Sequence, residues 1–381
     1  MRVAVLGAPS SRGLRVVRDF LERPDVAAVV IVGQDERDLA RLFGPLDPRR
    51  VIAAPVPPTV EGIAGALAGA DVAIGCLEGH PEAEMTAAEA ALAAHVPYVT
   101  ACEDPDIVAA ILARGSARPG GTSPGGTSPV VAGMSWTPGL SNLLARAALE
   151  RLEHVQSLRI AWCTSRNDEG SDGLERVLVG WSGVAEIMQD GALTHHEPGA
   201  WAERVFFPEP VGWQRVHLVR GAEVHTLPQR YPGLDSLLIK GGMAGASTTA
   251  LAHVVARAST GEPDGARQLA GSGGGVTRLK LGTLTRGIAS GLGPFSARPT
   301  GWSSLRVDAT GRSGGVTRVT TFGVVDHLAN LEAGPLVVAG LQLGAGKVAG
   351  AGALAPEAAF EPMSFLRELA ERGVRVARLE H

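Results

Sequence analysis

Met1-Arg2-Val3-Ala4-Val5-Leu6-Gly7-Ala8-Pro9-Ser10-Ser11-Arg12-Gly13-Leu14 decides how the chain folds. Val3 to Leu6 is the short, continuously apolar run that a strand covered on both faces requires. It stops at Gly7, and Leu14, Val17 and Leu21 then fall on one face of a helix. A strand that turns directly into a helix presents backbone N–H groups and the helix's positive end beyond the strand's carboxyl end, a setting suited to a diphosphate. Gly7 and Gly13 fit a G-x-x-G-x-x-G spacing in which Ser10 holds the middle glycine's place. Ser10 adds a Cβ where the backbone would approach the ligand, and the hydroxyls of Ser10 and Ser11 are expected to donate to phosphate instead. A Gly/Pro/Ser turn that binds nothing is the alternative.

The alternation continues outward from this segment. Ala27 to Val32 reads as a second strand, followed by a helix through Leu39 and Leu42. Asp71 to Ile74 is another strand, followed by an Ala-rich helix from Glu82 to Ala94. Tyr98-Val99-Thr100 and Val130-Val131-Ala132 complete the set. Apolar strands joined by helices predict a doubly wound parallel sheet, an α/β domain of Rossmann type over residues 1–145. From about Leu158 the texture changes. Leu158 to Cys163, Arg215 to Val219, Ser236 to Lys240, Leu279 to Leu281, Ser304 to Asp308 and Val316 to Val325 read as strands with polar or Gly-rich connections, which predicts an α+β domain over 146–334. Residues 335–381 return to helix (Met363 to Ala370) before a strand at Val374-Arg375-Val376. Pro119-Gly120-Gly121-Thr122-Ser123 is repeated unchanged at Pro124 to Ser128, and its composition predicts a mobile surface loop.

Composition narrows the function classes. A net charge of -4 gives no electrostatic footprint for nucleic acid or an anionic membrane, so neither is expected as a partner. Three widely spaced cysteines suit neither a disulfide framework nor a metal site, and with no visible signal peptide they lead us to expect a cytoplasmic protein. The apolar region from Leu336 to Leu354 is broken by glycines and Lys347, and reads as a buried helix rather than a membrane span.

Open α/β sheets bind ligands beyond the carboxyl ends of their strands. The expected cofactor-binding residues are therefore Gly7, Ala8, Pro9, Ser10, Ser11, Arg12 and Gly13 in the turn, then Gln34 and Asp35 after the second strand. Cys76, Leu77, Glu78 and Gly79, with Ala101 and Cys102, follow at later strand ends. Asp35 suits the ribose hydroxyls of NAD, while Arg12 or Arg37 suits the extra phosphate of NADP, so NAD(P) is left open. Asp35 also reads as an acid in a helix's first turn. Small residues at Cys76 and Cys102 would let a cofactor approach, and Glu103 and His80 are candidates for proton transfer. At Gly133-Met134-Ser135-Trp136-Thr137-Pro138-Gly139-Leu140-Ser141-Asn142-Leu143-Leu144-Ala145-Arg146, Thr137 reads as an N-cap and Pro138 as the first helical residue. That helix would aim its positive end at the site and help hold a carboxylate.

This last segment resembles the G-x-x-x-x-P-G-hydrophobic-S-N signature of the saccharopine dehydrogenase-like family. Further similar stretches are Gly69 to Ile74, Val96 to Val99, Phe207 to Gly212, Glu223 to Pro228, Lys240-Gly241-Gly242, Pro356-Glu357 and Leu366 to Gly373. Thr137 stands where many members have Asp, and Ser10 where they have Gly. The resemblance implies a Rossmann domain, an inserted substrate and dimerisation domain, and a C-terminal segment that returns to the first domain. It also implies an NAD(P)-dependent oxidoreductase, expected to be a homodimer, acting on the C–N bond of a small amine or amino acid. Expected substrate contacts are Trp136, Thr137, Pro138, Glu223 and Arg230, in a pocket between the domains. Glu103 or His225 would exchange the proton, and Arg230 would clamp a carboxylate. His195-His196 is expected to be exposed. Two other readings stay open: a non-catalytic nucleotide-binding regulator or scaffold, and a carbonyl or enoyl reductase.

Overall fold

The computed structural model describes residues 1–77, 81–116, 128–165, 180–181, 183–244, 301–348 and 350–379. The expectations for Glu78, Gly79 and His80, for the repeat as far as Thr127, and for a strand at Leu279 to Leu281 lie outside those residues. The chain divides into two compact units, Met1–Leu143 with Ala329–Gly373, and Leu144–Leu328 with Val374–His381.

The first unit holds β1 (Arg2–Leu6), β2 (Ala28–Gly33), β3 (Val51–Pro55), β4 (Val72–Gly75), β5 (Tyr98–Thr100), β6 (Pro129–Val131) and β15 (Gly352–Leu354). Among the described residues these form one sheet in the order β15-β6-β5-β4-β1-β2-β3, with every pairing parallel. The order reverses between β1 and β4, the place where such sheets open a crevice. Its helices are α1 (Ser11–Leu21), α2 (Glu36–Phe43), α3 (Val60–Leu67), α4 (Pro81–Ala94), α5 (Pro105–Ser116), α8 (Leu328–Gly344), α9 (Pro356–Ala359) and α10 (Pro362–Glu371).

Helix α8 shows how the late segment joins this unit. It is apolar nearly all round, as a helix buried on every side must be. Glycines one turn apart bring its backbone against the sheet. A Cβ on Gly340 would lie 2.7 Å from Ile74 Cδ1 and 3.0 Å from Phe20 Cζ, and one on Gly344 would lie 2.5 Å from Met1 Sδ. The helix therefore runs antiparallel to β4. Glu332, two turns before Gly340 on the same face, reaches the carboxyl edge of the sheet. Among the described residues no helix is long and apolar enough to cross a membrane.

The second unit holds α6 (Leu140–Leu149, entering from the first), α7 (Glu223–Arg230) and a mixed sheet. Its strands are β7 (His154–Thr164), β8 (Ala185–Gln189), β9 (Ala192–His196), β10 (Glu203–Phe207), β11 (Gly212–Leu218), β12 (Ser236–Met243), β13 (Ser303–Ser313), β14 (Val316–Asp326) and β16 (Arg375–Leu379). The path runs β10-β11-β12-β7-β13-β14-β16, with the β8–β9 hairpin on β12. Only β12 and β7 run parallel among these described pairs. A Cβ on Gly241 would fall 2.1 Å from the Trp162 ring, so glycine there makes room for the indole on the neighbouring strand.

The division differs from the boundaries expected at 145 and 334. The last strand is the clearest correction: β16 does not return to the first sheet but pairs antiparallel with β14, from Thr321↔Leu379 to Val325↔Arg375. The buried half of β14 leaves a row of backbone donors and acceptors on its outer side, and β16 satisfies them.

Candidate functional site

The turn after β1 is shaped by its glycines. Gly7 has φ +71°, and a Cβ there would sit 2.2 Å from the Cys76 carbonyl oxygen. A Cβ on Gly13 would meet the Gly7 carbonyl oxygen at 2.4 Å, so glycine there lets α1 close against the turn. Ser10 has a different use from the one expected. Its Oγ accepts the Gly13 N–H at 3.0 Å and donates to the Cys76 oxygen at 3.3 Å, which makes it the N-cap of α1. The hydroxyl serves the helix start rather than standing toward a ligand.

Arg12 also departs from expectation. It is buried and points to the end of β5, away from the end of β2 where an extra ribose phosphate would lie. Its guanidinium donates to the Ala101 oxygen at 3.2 Å and to Glu103 Oε1 at 3.0 Å, and lies 3.7 Å from Glu332 Oε1. Ser135 Oγ donates to the same Glu103 oxygen at 2.7 Å. Four residues distant in sequence thus meet at the carboxyl edge, and Glu103 is the most accessible of them, with its side chain 26% exposed. Ser135 and Glu332 escaped the sequence reading, although a lone acid in an otherwise apolar helix was a usable signal for Glu332.

Asp35 caps α2, accepting the N–H groups of Arg37 at 2.8 Å and Asp38 at 3.1 Å, and Gln34 beside it is exposed. Cys76 and Cys102 are buried thiols at the ends of adjacent strands. Glu84 on α4 lies beneath them. Its carboxyl is buried, takes a hydrogen bond from Thr100 Oγ1 and lies 3.5 Å from the Tyr98 hydroxyl. Burial lifts its pKa to about 7 against the opposing pull of Thr100, Arg12, the Leu77 N–H and Tyr98.

The Ser135 to Gly139 segment corrects the expected helix start. Helix α6 begins at Leu140, so Thr137 does not cap it and Pro138 is not its first residue. The cap is made by Asn142, whose Oδ1 accepts the Gly139 N–H at 2.8 Å while its Nδ2 donates to Glu357 Oε2 at 2.9 Å. The Leu140 and Ser141 N–H groups donate to the carbonyls of Ser135 and Trp136. With those donors used inside the turn, they do not serve the expected carboxylate. Trp136 is fully buried, and Thr137 and Pro138 are buried beside it.

The remaining expected residues lie on α7 of the second unit. Glu223 is buried, and His225 Nε2 lies 2.8 Å from Glu186 Oε2. Arg230 lies 3.6 Å from Glu150 Oε1 and stacks 5.9 Å over the Tyr231 ring. His195 is exposed and pairs with Glu186 at 3.0 Å. Among the described residues no group of three or more His, Cys, Asp or Glu could hold a metal.

A seven-stranded parallel sheet in this order, with a glycine turn after its first strand and a mixed-sheet unit inserted late, defines a Rossmann-type fold with an α+β insertion. This chain shares that fold with saccharopine dehydrogenase (L-Glu forming) from Saccharomyces cerevisiae, whose apo structure it matches at TM-score 0.66 over 100% of both chains with 14% identity. It is likewise similar to homospermidine synthase from Legionella pneumophila in complex with NAD, at TM-score 0.61 and 13% identity over 100% of this chain and 92% of that one. No protein-family model matches the chain, and none of the curated proteins does.

Proposed function

We propose that the chain is an NAD(P)-dependent oxidoreductase that transfers hydride to or from the C–N bond of a small amine or amino acid. One observation carries the reading: the Gly7 turn, at the switch point of the sheet, has a backbone that a single Cβ would obstruct. The contact closed there is with the Cys76 carbonyl, and the tight strand-to-helix turn it permits is what aims the N–H groups opening α1 at a dinucleotide's diphosphate. Residues Gly7 to Gly13 would hold the diphosphate, Asp35 would stand near the adenosine ribose, and Cys76, Leu77, Ala101 and Cys102 would line the path to the nicotinamide. When bound, the nicotinamide supplies the hydride acceptor or donor.

The chain's own residues provide the proton site. Oxidation of an amine removes a hydride from carbon and a proton from nitrogen, and Glu103 is the half-exposed carboxyl of the cluster at the end of β5. Arg12 and Ser135 fix its Oε1, which sets the direction of the group. The yeast and Legionella proteins are a saccharopine dehydrogenase and a homospermidine synthase by name, and their fold supports the choice of a C–N substrate here. A homodimer is part of the same proposal.

The test is turnover on a panel of amines and amino acids, read as formation of reduced nicotinamide. Glu103→Gln is expected to lower the rate about 100-fold while leaving nucleotide affinity intact, the size of effect a proton-transfer group contributes. Rates unchanged by that substitution would remove Glu103 from the role. A wild-type protein that binds nucleotide but turns over no amine would contradict the assigned reaction.

A further inference from the structure

Nothing in the Ala-rich stretch around Glu84 sets that residue apart in the sequence, yet it is the carboxyl most thoroughly built into the sheet edge. A helix packed on a sheet has no need of it, since alanine at this position would suit α4 better and avoid burying an acid. The Glu84 side chain accepts from Thr100 Oγ1. Thr100 Oγ1 in turn accepts the Cys102 N–H at 3.1 Å. The Ala101 N–H donates to the Gly75 oxygen at 2.9 Å, so the segment that Glu84 holds through Thr100 is also tied to the end of β4. Gly75 makes room for the arrangement, because a Cβ there would lie 2.0 Å from the Tyr98 hydroxyl, which reaches toward Glu84.

The Cys76 carbonyl accepts from Ser10 Oγ and presses on Gly7. Because β4 pairs with β5 through Gly75↔Thr100, the segment that Glu84 holds stands beside the wall against which the glycine turn rests.

Resting on the nucleotide-binding reading above, we propose that Glu84 is a positioning residue for the dinucleotide, one that fixes the Thr100–Cys102 segment beside the end of β4. The experiment compares Glu84→Ala, Glu84→Gln and a control, Leu67→Ala, in the full chain. Leu67 is fully buried at the end of α3, just before β4 begins at the opposite edge of the sheet, so its loss lowers stability without touching the strand ends. NADH affinity is expected to fall about tenfold in Glu84→Ala, to recover in part in Glu84→Gln, and to stay unchanged in Leu67→Ala. Amide exchange at Ala101 and Cys102 is expected to speed up in Glu84→Ala beyond any change in the control. Equal affinity and equal exchange in Glu84→Ala and Leu67→Ala would overturn the proposal. If the wild-type protein binds no dinucleotide, the functional reading fails by itself. The exchange rates at Ala101 and Cys102 then still decide whether Glu84 makes the tie.

Discussion

Ser10 and Asp35 stand at helix N-termini, and in each the side chain serves the backbone before it can serve a ligand. Ser10→Ala is expected to lower stability by about 1 kcal/mol, and Ser10→Gly by only a few tenths, as thermal unfolding would read. Neither capping role was read from the sequence, where Ser10 was expected to meet phosphate and Asp35 a ribose or a helix's first turn, although a cap depends only on neighbours two or three residues away. Arg12 was not legible in the same way: its partners Ala101, Glu103 and Glu332 come from far along the chain, and only the fold brings them to it. Glu84 was hidden for a related reason, since an acid in the first turn of a helix is ordinary until the sheet beneath it is known. Its burial has a pH signature. The folded protein holds the Glu84 proton up to about 7, against 4.5 for the unperturbed group, so between those values the folded state binds a proton that the unfolded chain has released. Stability from this group is complete below the lower value and is lost as pH rises through the upper one, by about 3 kcal/mol in all. Unfolding free energies measured at about pH 5 and about pH 8 should show that slope in the wild type and its reduction in Glu84→Gln.

The long elements followed their patterns. Strands β1, β2 and β4 and helices α1 and α4 announce themselves by apolar runs and helical spacing. The short ones do not. The alternating β3 ends on Pro55, and β15 is three residues in a Gly-rich stretch, so each is a strand only because a partner is waiting in the sheet. At α6 the expected start at Thr137-Pro138 gave way to Asn142 reaching back to Gly139. Helix α8 was read correctly as buried, and its glycines explain how it packs. Filling the contact with Gly340→Val should destabilise the protein by about 1–3 kcal/mol through overpacking against Ile74 and Phe20, measurable by denaturant unfolding. A neutral result would mean that α8 does not lie against the sheet there.

The whole molecule reads as two units whose chain crosses between them more than once. The parallel sheet and the change of texture near β7 were visible in sequence; the destination of the last strand was not, because a five-residue strand carries no record of its partner. Deleting residues 374–381 should expose the outer edge of β14 and abolish amide protection from Thr321 to Val325, while β1 in the first unit keeps its own. Whether the turn after β1 binds a dinucleotide is read by fluorescence titration of the wild type and of Gly7→Ala with NADH and NADPH. The wild type should bind at least one of the two at micromolar concentration, and a methyl group aimed at the Cys76 oxygen should abolish that binding in a variant that still folds. Failure of the wild type to bind either nucleotide, or undiminished binding by Gly7→Ala, would contradict the account.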